Sequence, residues 1–168
     1  MDNLVGTLVG FFQDHLSKEV VIFIISLLPI LELRGGLIAA ALLGVDWAVA
    51  FPICVVGNML PIPFILLLIR KIIEWLKKTK TFAKLAAKLE SRAKEKSEGL
   101  DKKTLKYKLI GLLLFVGIPL PGTGAWTGAL VADALDLRMK YSLPIITLGV
   151  ILAGIIVSLI GYGIPAII

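Results

Sequence analysis

In this chain of 168 residues, two short stretches set polar and charged side chains among apolar runs in a pattern that could do chemistry. The first is PILELRGGL, residues 29–37, where Glu32, Arg34 and the pair Gly35–Gly36 interrupt the apolar runs VVIFIISLL and IAAALLGV. The second is PGTGAWTG, residues 121–128, comprising Pro121, Gly122, Thr123, Gly124, Trp126, Thr127 and Gly128, with Asp133 five residues further on. An ionised side chain at the centre of a bilayer costs at least about 2.5–3.5 kcal/mol, so a carboxylate and a guanidinium kept there are expected to face protein or water and to be paired. Glu32 then reads as a proton-titrating or cation-coupling carboxylate, and Arg34 as the holder of an anionic group or as counter-ion. On a regular helix two residues so spaced point about 200° apart. They share one cavity only through an unwound turn that Gly35 and Gly36 permit, or through partners on the second stretch. The competing reading makes them a static buried ion pair, or caps for broken helix ends. In the second stretch Thr123, Thr127, the Trp126 indole and the amides of a half-helix starting near Gly128 present a positive dipole end to an anion or to Glu32 itself. The Gly and Thr residues serve close helix packing equally well. Asp133 falls toward the water boundary, and Asn58 reads as an interhelical hydrogen bond rather than a ligand.

The surroundings of these stretches follow from composition. Hydrophobic residues make up 58% of the chain and the mean hydropathy is +0.94, whereas soluble domains stay near about 45–50% apolar. An all-α integral membrane protein is expected, at the cell membrane. The N-terminus lacks the basic n-region and small-residue cleavage site of a secretory signal, so the first helix is expected to stay. With Cys54 and His15 each alone, neither a metal site nor a nucleophile–base pair can be assembled. No enzyme activity and no cofactor are expected.

Charge supplies orientation. Residues 70–108 hold fourteen of the eighteen Lys and Arg against five acids, a net charge of +9, while the remainder carries −3. A loop this basic stays in the cytoplasm. Within it Phe82, Leu85, Ala86, Leu89 and Ala93 follow the spacing of one helical face, which predicts an amphipathic helix broken near Gly99. The adjoining apolar runs make anionic membrane lipid its partner, and no nucleic acid is expected.

The two apolar halves match without a gap at an offset of 92, which pairs Pro29 with Pro121, Gly36 with Gly128, Pro52 with Pro144 and Gly57 with Gly149. Proline and glycine fix where a backbone bends, so a shared backbone plan is expected. Val20–Leu31 and Leu109–Leu120 are twelve residues each, about 18 Å as helix against a hydrocarbon core of about 30 Å. Trp47–Ile69 and Tyr141–Ile160 are long enough to cross. The predicted architecture is therefore an inverted repeat, each half a re-entrant helical hairpin plus a transmembrane helix, in one membrane domain. Its parts are an interfacial N-terminal helix on the outer face (1–19), a first repeat (20–69), the basic cytoplasmic hairpin (70–108) and a second repeat (109–162). The alternative to a re-entrant hairpin is one continuous crossing with a broken middle, and both readings place the break deep in the bilayer. One copy offers little protein to enclose a path, so a homodimer is expected.

PILELRGGL together with PLPGTGAWTGAL resembles the small multi-drug export protein family over nearly the whole chain. The resemblance implies a membrane transporter and leaves the cargo open. That family is similar in topology to the DedA superfamily, which implies two opposed re-entrant loops and movement of polyprenyl-phosphate or other lipids; the Arg-x-x-Pro-x-x-Arg stretch usual there is missing from this sequence. The expected function is export coupled to a proton or cation gradient through a midplane site, the alternatives being a lipid flippase or scramblase and a non-transporting scaffold.

Overall fold

The computed structural model describes residues 2–12, 16–68, 102–120 and 122–161, and every regular element among them is helical. The predicted amphipathic helix and its break near Gly99 lie outside the described residues, as do His15 and Pro121. The helices are α1 (Asp2–Phe12), α2 (Lys18–Leu27), α3 (Glu32–Leu42), α4 (Trp47–Met59), α5 (Lys102–Gly117), α6 (Ala125–Ala134) and α7 (Met139–Gly161). After a turn at Leu60–Pro61 the chain resumes helix, so α4 belongs to a span of 22 residues, Trp47–Leu68.

Local sequence sets the boundaries. Ser17 caps α2 by accepting from Val20 N at 3.5 Å, and Asp46 caps α4 by accepting from Ala48 N at 2.8 Å. Leu28 is extended, with ψ 133°, because the proline that follows disfavours the helical region. The same clash ends α5 ahead of Ile118–Pro119. α5 starts earlier than the apolar arm drawn from sequence: it runs from Lys102, since the last polar residues of the basic segment are adequate helix formers and continue the ladder.

α2 and α3 form an antiparallel hairpin, with Lys18 Nζ at the start of α2 donating to Leu43 O just past α3 at 2.7 Å. α5 and α6 do likewise, Lys108 Nζ donating to Leu135 O at 2.8 Å. Leu43 and Leu135 are 92 residues apart, and further local features repeat at that offset. Val45 N donates to Ala40 O, and Leu137 N to Ala132 O. Gly44 and Asp136 both take positive φ, 65° and 52°. Pro52 and Pro144 both sit inside helices. Gly36 lies against Cys54 of α4 while Gly128 lies against Ile146 of α7, and Gly57 approaches Phe23 of α2 while Gly149 approaches Val116 of α5. Each of the four has a neighbour too close for a side chain, which for Gly128 is Val116 rather than Ile146.

α4 and α7 run antiparallel. Phe51, early in α4, meets Gly154, late in α7, while Met59 Sδ lies 3.9 Å from Thr147 Oγ1. Both spans are long and apolar enough to cross a membrane. Among the described residues, only 28% and 39% of the most apolar 18-residue stretch of each span is buried, leaving Val56, Phe64, Leu148 and Leu159 exposed, as lipid-facing residues should be. The core lies between the hairpins and α7, around Ile22, Ile25, Leu33, Leu37, Leu112 and Ile146. α1 adds Val5 and Val9 to this core, packing on α2 and α3.

The turn after α3 offers a clean backbone test. A Cβ at Gly44 meets nothing within 4 Å, so Gly44→Ala carries only the left-handed penalty, about 1 kcal/mol. Detergent-solubilised protein titrated with denaturant should show that loss, and Asp136→Gly should show a smaller gain at the matching turn.

Candidate functional site

The tips of the two hairpins meet. Glu32, the first residue of α3, is 7% exposed, and its Oε1 accepts from Trp126 N, in the first turn of α6, at 3.2 Å. Gly124 caps α6 without a side chain, so the carboxylate of Glu32 serves as a cap supplied from the other hairpin. An anion there is stabilised by the helix dipole, typically by about 0.3–1 kcal/mol. The space for it exists because residue 124 is glycine, for a Cβ would fall on the carboxylate of Glu32.

Arg34 reaches the other arm of the same hairpin. It donates to Leu120 O, to Ile118 O at 3.4 Å and to Thr123 Oγ1 at 3.0 Å. Thr123 ties the tip to itself, its hydroxyl lying 2.8 Å from both Ile118 O and Leu120 O and accepting from Leu120 N at 3.2 Å. A cation thus sits at the carbonyl end of α5 and an anion at the amide end of α6, each matching the partial charge of that half-helix. Both charges bond to the second hairpin rather than to each other.

The backbone at Glu32 is unusual, with φ 52°, a left-handed conformation that costs a non-glycine residue about 1–2 kcal/mol. The break in the first hairpin accordingly lies at Leu28–Leu31, not at the two glycines expected to unwind it. Gly35 and Gly36 are inside α3, where Gly35 packs on Leu31 and Gly36 on Ser26 and Cys54. They permit close packing, and it is Pro29 together with the strained Glu32 that opens the helix. α6 likewise begins at Ala125, three residues before Gly128.

Of the other expected site residues, Gly122 is an exposed turn residue with φ 80°, and Thr127 Oγ1 turns back to Gly124 O at 3.3 Å. Gly128 lies against Val116. Asp133 is near the far end of α6, about 13 Å along the helix from the tip, and is not brought to Glu32. The Trp126 indole Nε1 is buried with no partner among the described residues, and its ring borders an open apolar groove with Leu27, Pro29, Leu60, Pro61 and Phe64. Asn58 gains weight: it is 1% exposed, its Oδ1 has no partner among the described residues, and it shares a small cavity with Glu32 and Arg34. A polar residue on an otherwise apolar span was the available signal.

Glu32, Arg34 and the uncharged tip they meet all fall within the segment that a protein-family model recognises. The model described as "Putative small multi-drug export protein" matches residues 32–156. The chain belongs to that family. The family's description is of export rather than catalysis, and with the two apolar spans it makes this a membrane protein. The match opens at Glu32 and covers α3, α4, both arms of the second hairpin and most of α7. Neither a curated protein nor a solved structure matches the chain.

If the open space at Gly124 exists to seat Glu32, filling it should dislodge the carboxylate and leave the helices standing. Gly124→Ala is expected to keep its helical circular dichroism while the fluorescence of Trp126, read in a Trp47→Phe, Trp75→Phe background, shifts as its amide loses Glu32. An unchanged spectrum would mean that Glu32 is not held there.

Proposed function

We propose that this protein is a gradient-coupled exporter of small lipophilic compounds, built as an inverted repeat whose two re-entrant hairpins meet tip to tip at the membrane midplane. The observation that carries this is the joining of the tips through Glu32 and Arg34. At 1.5 Å per residue, α3 and α6 are about 16 Å and 15 Å long. End to end they match a hydrocarbon core of about 30 Å. The antiparallel course of α4 and α7 and the backbone features recurring 92 residues apart support opposite insertion of the two halves. Irregular backbone at mid-depth is tolerable where protein buries it, and where the tips meet, Leu31 and Glu32 of one and Gly124 and Ala125 of the other are buried.

In this reading Glu32 is the coupling carboxylate. Arg34 positions the second tip, because its bonds to Ile118, Leu120 and Thr123 commit it to protein oxygens rather than to a lipid phosphate; that commitment favours export over lipid flipping. The basic segment 70–108 sets orientation by staying cytoplasmic. Proteoliposomes with an imposed pH gradient test the function: a fluorescent lipophilic compound should accumulate in a gradient-dependent manner and stop when a protonophore collapses it. Cysteine accessibility across 29–37 and 122–128, in a Cys54→Ala background, tests the architecture. Labelling of both tips by a bulky, membrane-impermeant reagent would place them in bulk water and remove the midplane site.

A further inference from the structure

The cavity beside Glu32 is lined by Leu33, Arg34, Asn58, Gly124, Val116 and Val150, with Ala125 and Ala153 completing it, and measures about 10 Å³. That is about the space one water molecule needs. Its polar lining is ordered: the Glu32 carboxylate accepts, Asn58 Oδ1 accepts and has no partner among the described residues, and Arg34 has donors beyond the three bonds described above. A water giving one hydrogen to Asn58 Oδ1 and one to Glu32, and accepting from Arg34, makes three hydrogen bonds, the usual number for a buried water. A dehydrated hard cation is a poor occupant, since Mg2+ and Ca2+ take about six or more oxygen ligands and any cation here, alkali ions included, would lie against the Arg34 guanidinium. Here two side chains supply oxygen, a guanidinium shares the wall and the remaining side chains are apolar.

We propose that Asn58 and Glu32 hold a single water through which Glu32 exchanges its proton, so that the ion coupled at this site is the proton and not an alkali cation. This rests on the reading of Glu32 as the coupling carboxylate and identifies what it couples. A proton arriving on the water passes to the carboxylate, leaving neutral water and a carboxyl group. In the reverse step the carboxyl returns its proton to the water. The groups facing Glu32 leave few competitors. α3 supplies Arg34, α7 presents Val150 and Ala153, and the tip offers Thr123, Trp126 and backbone. On α4, Cys54 is turned to Gly36, leaving Asn58. The charges of α2, Lys18 and Glu19, are at its opposite end, and those of α7, Lys140 and Arg138 beside it, at the far end of that helix.

Infrared difference spectroscopy of the full chain in liposomes, titrated with acid and with sodium, reads this directly. The protonated Glu32 carboxyl band is assigned by its loss in Glu32→Gln. Asn58→Leu fills the cavity and removes the acceptor, so the carboxyl band should move to higher frequency and proton flux under a pH gradient should fall at least tenfold. Asn58→Ser, which keeps an oxygen and room for water, should retain most of both. Exchanging sodium for choline at fixed pH should change neither band nor flux. Sodium that displaces the proton, or an Asn58→Leu band and flux equal to wild type, overturns the proposal. Where Asn58→Leu fails to fold, the Asn58→Ser variant and the sodium exchange in the wild type decide. In both overturning results Glu32 still couples, so the export reading survives; that reading falls separately, on unaltered accumulation by Glu32→Gln.

Discussion

Glu32→Gln is expected to abolish gradient-driven accumulation, by about a hundredfold or more, while the protein still folds with its hairpin tips joined. Glutamine has the same shape, and its amide oxygen still accepts from Trp126 N, so the cap on α6 remains. What disappears is the negative charge at the helix N-terminus, a loss of about 1 kcal/mol or less, and the ability to take up a proton. At the proposed depth the charge is costly to keep, at least about 2.5–3.5 kcal/mol before compensation, and Glu32 additionally holds a left-handed backbone. A residue whose task was capping alone would be better served by a neutral acceptor. Accumulation of a lipophilic fluorophore in proteoliposomes, normalised to folded protein by circular dichroism, makes the measurement. Uptake by the Gln variant at the wild-type rate under a pH gradient would remove the carboxylate from the mechanism and leave Glu32 a structural cap. Glu32→Ala provides the contrast, since it loses cap and proton together and should be less stable as well as inactive.

The sequence exposed the parts of this fold that depend on chain length and on residues with special backbones. Runs of about twelve apolar residues cannot span a bilayer whatever packs around them, so hairpins at 18–42 and in the second half were readable, as were the two spans. Pro52 with Pro144, Gly36 with Gly128 and Gly57 with Gly149 were readable as matches because each marks a bend or a close approach. The reason for each glycine was not. Gly35 and Gly36 suggest an opened helix when read alone, yet both are helical, and the need for Gly36 becomes visible only when Ser26 and Cys54 are placed beside it. Asn58 shows the same limit: its weight comes from a carboxylate 26 positions earlier and from an unmet oxygen, neither of which spacing along one helix can reveal. The meeting of Glu32 with the α6 amides was conceivable from charge and dipole, but the tip carbonyls that take up Arg34 carry no side-chain signature at all.

Arg34 is expected to hold the second tip in place, and its removal to be the most destabilising single change in the site. In the proposed mid-membrane placement, Arg34→Leu leaves Leu120 O and Ile118 O without their charged donor where lipid offers no replacement, and each orphaned acceptor costs about 1–3 kcal/mol. It also leaves Glu32 without its counter-charge. Membrane hydrogen bonds often measure nearer 0.6 kcal/mol, because the unfolded chain finds other partners in lipid, so a combined loss of about 2–4 kcal/mol is the expected range. Arg34→Lys should recover only part of it: an ammonium keeps the charge, but a single nitrogen on a flexible stem cannot address two carbonyls and a hydroxyl with the fixed fork of a guanidinium. Thr123→Val, which removes the hydroxyl that Arg34 shares with the tip, should cost less, about 1 kcal/mol, and should add little when combined with Arg34→Leu, since the two act through one network. Denaturant titration in micelles of the four proteins and the double variant measures these terms. Strict additivity between Arg34 and Thr123 would show that the tip is held by something other than the bond between them.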